Sequence, residues 1–268
     1  MAKVKGFNVV SGSVGNITFY TMNGQSRVYA KLKGGPTKDQ IKKSDRFSEV
    51  RKNNKEFGGC SRMSRAIRDT LRDLVGVADY NLAPAFCSFA KQIQKQDTTG
   101  EAGRRAIRLS EHRDWLPGFD FNRNHRFDNL LRIPLNYCLD RDTLSAKLTV
   151  PTINGAQHLF PVTGYPLFRI EMALGALSDF HYNAERDEYM SLNRSYNAYG
   201  FQVQSDWFPV VARVDGFELS LSLDGKIPEF TPADSLVLSV AVRMGTIDAA
   251  GQYVAAKGGG AGKILDVR

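Results

Sequence analysis

The sequence predicts an α+β protein in which an N-terminal β-hairpin and helices pack on a C-terminal antiparallel β-sandwich. Near the N-terminus, β-branched and aromatic runs flank an Asn-Gly pair. Helical periodicity follows between residues 38 and 110, and short alternating runs fill the chain beyond residue 130. We therefore place the hairpin and helical region in residues 1–114 and the sandwich in residues 115–268.

The hairpin is predicted from two runs, Ile17–Thr21 and residues 27–31, which are rich in strand-forming side chains. Between them lies Asn23-Gly24, a dipeptide typical of tight hairpin turns. A short hairpin leaves its edges unpaired, and such edges pair readily with another sheet. Together with three aromatic residues of the second half, the candidate interface residues are Ile17, Phe19, Tyr20, Tyr29, Tyr196, Tyr199 and Trp207.

Helical spacing next predicts an amphipathic helix over residues 38–57, with Phe47, Val50 and Phe57 on one face. Gly58-Gly59 then predicts a break or kink. A second helix is predicted from residue 61 to residue 75, and a third within residues 80–110.

Two clusters of arginine follow this helical pattern. They are Arg62, Arg65, Arg68 and Arg72 on the second helix, and Arg104, Arg105 and Arg108 after the third. A basic helix face is typical of phosphate binding, as in nucleic-acid-binding proteins. The pattern favours a solvated face, however, because Asp69 and Asp73 are interleaved with the arginines. A polyanion site requires both clusters on one exposed face, unpaired by carboxylates.

The second half predicts an antiparallel sandwich of seven to nine strands. Residues 217–223 alternate apolar and polar side chains, and Asp215-Gly216 before them predicts a hairpin with residues 208–214. Aromatic residues crowd residues 182–208, where the alternatives are a sandwich core and a contact surface for protein or carbohydrate.

The charge distribution is uneven along the chain. Residues 1–132 contain 25 Lys and Arg against 13 Asp and Glu, a net charge of +12, whereas residues 133–268 contain 11 against 15, a net charge of −4. A basic front and an acidic rear suit either a polyanion-binding element or neighbouring copies that neutralise each other head to tail.

No pattern of catalytic, cofactor-binding or metal-ligating residues stands out, so we expect a protein that is not an enzyme and that needs no cofactor or metal. The glycine-rich run of residues 257–263 has Ile264 where a phosphate-binding loop needs Ser or Thr, and we predict a flexible turn there. No apolar run approaches the ~20 residues of a membrane helix. We find no secretory signal at the N-terminus, which predicts a cytoplasmic location, or alternatively a virion or released assembly.

The run Gly12-Ser13-Val14-Gly15-Asn16-Ile17-Thr18-Phe19 and the later Gly118-Phe119-Asp120-Phe121-Asn122 resemble a family of Bacteroidota and phage-associated proteins. Proteins of that family open with a G-x-x-G-N-[IV]-x-[FY] hairpin, continue with helices and end in a β-rich half. The resemblance covers most of the chain and implies this order of elements, but it implies no activity and no catalytic residues.

The leading functional hypothesis from the sequence is a structural protein that forms homo-oligomers, as a ring, tube or filament, through head-to-tail and strand-pairing contacts. The alternative is a protein that binds nucleic acid, another polyanion or an acidic protein surface through its arginines. A third hypothesis is a carbohydrate- or protein-binding sandwich.

Overall fold

A computed structural model describes residues 2–4, 11–22, 27–160 and 164–268 of the chain. The turn predicted at Asn23-Gly24 lies outside these residues. The chain divides into two compact units, Met1–Arg51 and Lys52–Arg268. This division falls well before the predicted boundary at residue 114, because the helices that follow residue 52 share a core with the C-terminal strands. In the described ranges, no helix is long and apolar enough to cross a membrane.

The first unit contains a four-stranded antiparallel sheet in the order β1-β4-β3-β2. Its strands are β1 (Ala2–Val4), β2 (Gly12–Val14), β3 (Ile17–Thr21) and β4 (Val28–Leu32). The predicted pairing of β3 with β4 is confirmed, with Ile17 opposite Leu32. Gly15 has a φ of +56°, so the two-residue turn between β2 and β3 needs its glycine.

The predicted helix over residues 38–57 is wrong in its extent. Helix α1 (Lys38–Lys43) begins at a capping box formed by Thr37 and Gln40, and it ends at Ser44, whose backbone is extended. A 3₁₀ turn (Asp45–Phe47) follows. Arg51 holds this end in place by donating to the carbonyl oxygens of Ile41 at 2.8 Å and Ser44 at 2.7 Å.

The predicted break at Gly58-Gly59 is also wrong, because helix α2 (Ser48–Thr70) passes through both glycines. A Cβ at Gly59 would lie 2.5 Å from the ring of Tyr189, so the glycine allows a β-strand side chain to pack directly on the helix backbone. The apolar face predicted for residues 61–75 is confirmed, since Met63, Ile67 and Leu71 are buried.

The remaining elements belong to the second unit. The helical segments are a 3₁₀ turn (Arg72–Val77), α3 (Leu82–Gln96), two further 3₁₀ turns (Leu109–Glu111 and Arg113–Trp115), α4 (Phe127–Leu130) and α5 (Gly155–His158). The strands are β5 (Asn136–Asp140), β6 (Ser145–Val150), β7 (Ile153–Asn154), β8 (Leu167–Ser178), β9 (Phe180–Asn183), β10 (Glu188–Ser191), β11 (Tyr199–Gln204), β12 (Phe208–Pro209), β13 (Arg213–Val214), β14 (Phe217–Ser222), β15 (Asp234–Ile247) and β16 (Tyr253–Val267).

These elements form three layers. A five-stranded sheet has the order β11-β8-β15-β16 with β12 also paired to β8, and a three-stranded sheet has the order β14-β6-β5. Side chains of both sheets share one apolar cluster. A second cluster lies between the other face of the larger sheet and the helices α2 and α3. The α+β class with helices and antiparallel strands is therefore confirmed.

The alternation of β8 explains why the larger sheet is buried on both faces. Phe168, Ile170 and Met172 point to the three-stranded sheet, and Ala173 and Leu177 point to the helices. Gly175 lies between them, and a Cβ there would lie 2.7 Å from Thr70, so α2 packs closely on this side of the strand. Strands that bury both faces are apolar almost throughout, as β8 and β15 are.

Two sequence predictions about turns are wrong. Asp215-Gly216 does not close a hairpin, since β13 pairs with β7 while β14 pairs with β6. The run of residues 257–263 is not a turn but part of β16, paired with β15 across a bulge. A Cβ at Gly260 would lie 2.1 Å from the carbonyl oxygen of Val242, and one at Gly262 would lie 2.6 Å from the ring of Phe121. Close backbone approach therefore requires these glycines.

Candidate functional site

A concave surface lined by four arginines, which we call the arginine cleft, lies between α2 and the β9–β10 hairpin. Its cavity has a volume of about 460 Å³. Arg62 and Arg65 line it from α2. Arg186 comes from the turn between β9 and β10, and Arg194 comes from the loop after β10.

The helix side of the cleft holds its arginines in ion pairs. Arg62 lies 2.6 Å from Glu188 and also donates to the backbone carbonyl of Tyr189. Arg65 lies 3.6 Å from Asp69 one helical turn away. Both pairs are solvent-exposed, and such pairs contribute little to stability.

The hairpin side of the cleft has surplus positive charge. Within the described part of the chain, neither Arg186 nor Arg194 lies within ion-pair distance of a carboxylate, and Arg194 contacts the thioether of Met190. The hydrogen bond from Arg62 lowers the pKa of Glu188, and the charges of Arg186 and Arg194 lower it further. Three guanidinium groups therefore surround one carboxylate.

The sequence did not point to Arg186 and Arg194, because neither belongs to the helical arginine pattern and both are distant from α2 along the chain. Their position depends on the contact of Tyr189 with Gly59, which brings the β9–β10 hairpin against α2. The glycine pair in a helical pattern was the available signal, since a glycine inside a helix often marks a close packing contact.

The other arginines of the predicted stripe, Arg68 and Arg72, line a neighbouring cavity of about 800 Å³. Asp69 and Asp73 line it too, and Phe201 forms part of its wall. Two arginines and two aspartates give this cavity no net charge. The positive surplus of the arginine cleft therefore does not continue into this cavity.

The second predicted cluster does not join this surface, because Arg105 is part of a buried ion-pair group. The Glu56 carboxylate is fully buried and accepts two hydrogen bonds from Arg105, at 2.7 and 2.8 Å. Lys91 Nζ lies 2.6 Å from Glu56 Oε2, and the Gly103 amide donates at 2.9 Å. Burial raises the pKa of Glu56, but these partners outweigh burial and lower it to about 2.

Arg104 and Arg108 also have acidic neighbours. Arg104 lies 3.7 Å from Glu101 and against the ring of Tyr182. Arg108 lies 3.6 Å from Asp97, a carboxylate that organises the loop after α3. Burial raises the pKa of Asp97, but hydrogen bonds from Thr99 and from neighbouring backbone amides outweigh it and hold that pKa well below its usual range. Five of the seven predicted arginines thus pair with carboxylates.

The aromatic candidates of residues 182–208 are dispersed. Tyr196 is buried, and its hydroxyl donates to Asp234 at 2.7 Å. Trp207 lies against Gly245, where a Cβ would be 2.4 Å from the indole ring. Tyr199 is exposed and contacts Phe201 edge to face. The residues therefore divide between packing contacts and surface rather than forming one platform.

The hairpin candidates lie in the first unit, where the sheet has two different faces. The cross-strand pairs place Val14, Ile17, Phe19 and Leu32 on one face, which we call the apolar sheet face. Val14 is 67% exposed, Ile17 40% and Leu32 73%.

The opposite face carries polar and aromatic side chains. Tyr20 and Tyr29 pack together there with ring centroids 5.9 Å apart, and Lys31 lies over the ring of Tyr20. Ser13 and Thr18 complete this face with a hydrogen bond between their hydroxyl groups.

Metal-binding residues do not converge in the described ranges, where no three His, Cys, Asp or Glu side chains lie together. Comparison with protein-family models, curated proteins and solved structures finds no match for this chain. The chain therefore contains two units. The second is a three-layer unit of helices and two sheets, and the first is a basic unit with an amphipathic sheet.

Proposed function

We propose that this protein is a structural protein that assembles into homo-oligomers, with the apolar sheet face of one copy packed on a neighbouring copy. The observation that carries this proposal is the exposure of that face. Val28 is the one buried side chain among residues 11–22 and 27–51. A sheet of this size needs a covered apolar face for stability, so the first unit is incomplete without a second surface.

Charge supports a neighbouring copy as the second surface. Residues 1–51 contain 10 Lys and Arg against 3 Asp and Glu, a net charge of +7. Residues 133–268 have a net charge of −4, from 11 basic and 15 acidic residues. The N-terminal units of two copies repel each other, whereas the second unit is nearly neutral, with 26 basic and 25 acidic residues, and its residues 133–268 carry an acidic excess that attracts the N-terminal unit of another copy.

This charge pattern favours a head-to-tail contact over a symmetric dimer. Head-to-tail contacts use two different surfaces, so they continue from copy to copy and produce rings or filaments. Among the described residues, β1 and β2 form the two edges of the sheet, and their outer backbone donors and acceptors are suited to strand pairing between copies.

Size-exclusion chromatography with light scattering tests the proposal across protein concentration and salt. We expect species larger than a dimer at low salt, and smaller species as salt screens the charges. Val14→Lys places a charge on the apolar sheet face and should shift the protein to monomers.

Ser13→Lys is the matched control, since it adds the same charge to the same strand on the opposite face. It should leave the assembly intact. A wild-type protein that stays monomeric at all concentrations at low salt overturns the proposal, as does a Val14→Lys variant that assembles like the wild type.

A further inference from the structure

We propose that the arginine cleft is a binding site for an organic phosphomonoester. This site is separate from the apolar sheet face and lies wholly within the second unit. The cleft carries Arg62, Arg65, Arg186 and Arg194 against the two carboxylates of Asp69 and Glu188. The surplus of two positive charges matches the charge of a phosphomonoester, about −1.5 to −2 at neutral pH.

The side chains suit phosphate chemistry. A guanidinium group presents donors in a fork that matches two phosphate oxygens at once. Arg186 and Arg194 have no carboxylate at ion-pair distance in the described chain, so their donors are available to a ligand. Arg62 already bridges the hairpin and the helix, which sets the width of the cleft.

The size of the cavity leaves room for an organic group beside the phosphate. Ala66, Phe180 and Ala198 line the cavity beside the arginines. A volume of about 460 Å³ is within the size range of small-molecule sites and exceeds what a bare phosphate fills.

The geometry favours a compact ligand over a nucleic-acid strand. A strand lying along α2 would continue into the neighbouring cavity, where Asp69 and Asp73 balance Arg68 and Arg72. That cavity offers no net attraction to a second phosphate. Polyanion binding by the whole arginine stripe therefore has less support than a single phosphate group at one end of it.

Isothermal titration calorimetry at low salt tests the inference with four probes: inorganic phosphate, a nucleoside 5′-monophosphate, the parent nucleoside and a single-stranded oligonucleotide without a terminal phosphate. We expect the monophosphate to bind most tightly, inorganic phosphate more weakly, and the other two not measurably. The double variant Arg186→Gln/Arg194→Gln should weaken binding of the monophosphate by about tenfold or more, since charge-assisted hydrogen bonds are lost.

Two further variants test whether the charges of the cleft itself determine the affinity. Arg72→Gln removes an arginine of the same stripe outside the cleft and should leave affinity unchanged. Glu188→Gln removes the competing negative charge while Arg62 keeps its bond to the Tyr189 carbonyl, so it should tighten binding several-fold. Absence of binding by the monophosphate, equal binding by the oligonucleotide, or a double variant with wild-type affinity and an unchanged melting temperature overturns the inference.

Discussion

The two compact units both contain β-strands with an apolar face, but they bury very different amounts of apolar surface. In the second unit, helices cover one face of the larger sheet and a second sheet covers the other. In the first unit, Val14 and Leu32 stay largely exposed on a face of the same apolar character. Alternation therefore defines a face that must be covered, but it does not say whether the same chain covers it.

The largest expected contrast comes from truncating one aromatic ring in each unit. Phe86 is fully buried and stacks on Phe119, so Phe86→Ala should lower the free energy of unfolding by about 3–5 kcal/mol. Phe19 is half-buried on the apolar sheet face, and Phe19→Ala in the monomer should cost less than about 1 kcal/mol. Urea unfolding at low protein concentration measures both values, and equal costs would show that the first unit has a core of its own.

The buried Glu56 group should give an effect of similar size. Glu56→Gln leaves Arg105 and Lys91 without their carboxylate and should cost about 3–5 kcal/mol. Exposed Glu185→Gln is the matched control and should change stability by less than about 0.5 kcal/mol.

The same carboxylate makes stability depend on pH. The pKa of Glu56 is about 2 in the folded protein, below the ordinary value of 4.5, so its contribution is present above pH 4.5. It is lost as the pH falls from 4.5 through about 2. Melting temperatures over this range should therefore fall less steeply for Glu56→Gln than for the wild type. Parallel curves would contradict this assignment.

A smaller effect with opposite signs is expected at the two adjacent glycines of α2. Gly59→Ala puts a methyl group 2.5 Å from the ring of Tyr189 and should cost about 1–3 kcal/mol. Gly58 has open space around it, so Gly58→Ala should stabilise the helix by about 0.5–1 kcal/mol. Thermal unfolding measures both effects. If both variants are destabilised, the open space around Gly58 is contradicted.

The smallest contrast compares two helix N-caps. Asn81 caps α3 by accepting from the Ala83 amide at 3.0 Å, and Asn81→Ala should cost about 1 kcal/mol. Thr37 caps α1 by accepting from the Gln40 amide at 3.2 Å. Both tryptophans, Trp115 and Trp207, lie in the second unit, so tryptophan fluorescence follows the unfolding of that unit.

If the two units unfold independently in the monomer, Thr37→Ala leaves the tryptophan transition unchanged while Asn81→Ala shifts it to lower urea. A shift of equal size in both variants would mean that the two units unfold together.

Several elements could be predicted from the sequence, because their formation depends on the spacing of apolar residues within one segment. Strands β3 and β4 and the apolar face of α2 follow from alternation and helical spacing. The predictions at Gly58-Gly59 and at residues 257–263 are wrong because glycine permits both turns and close packing. Only the residue that contacts the glycine decides between them. The predicted partner of β14 is wrong because the turn Asp215-Gly216 suits a hairpin, whereas β14 pairs with the distant β6 from Phe217 opposite Val150 to Ser222 opposite Ser145.

The arginine cleft shows the same limit at a candidate site. Sequence reasoning grouped seven arginines by their spacing along the chain, but it had no access to Glu56 as the partner of Arg105, since 49 residues separate them. Arg186 is far from α2 in sequence and near it in space because the β9–β10 hairpin packs on Gly59.

The sequence by itself determined the class of fold, the order of its elements and the basic character of its N-terminal unit, because these depend on composition and short-range periodicity. Only the tertiary structure decided which apolar faces are covered and which charges are neutralised. Both depend on contacts between distant segments, where burial makes an ion pair structural and exposure leaves an arginine available for a ligand.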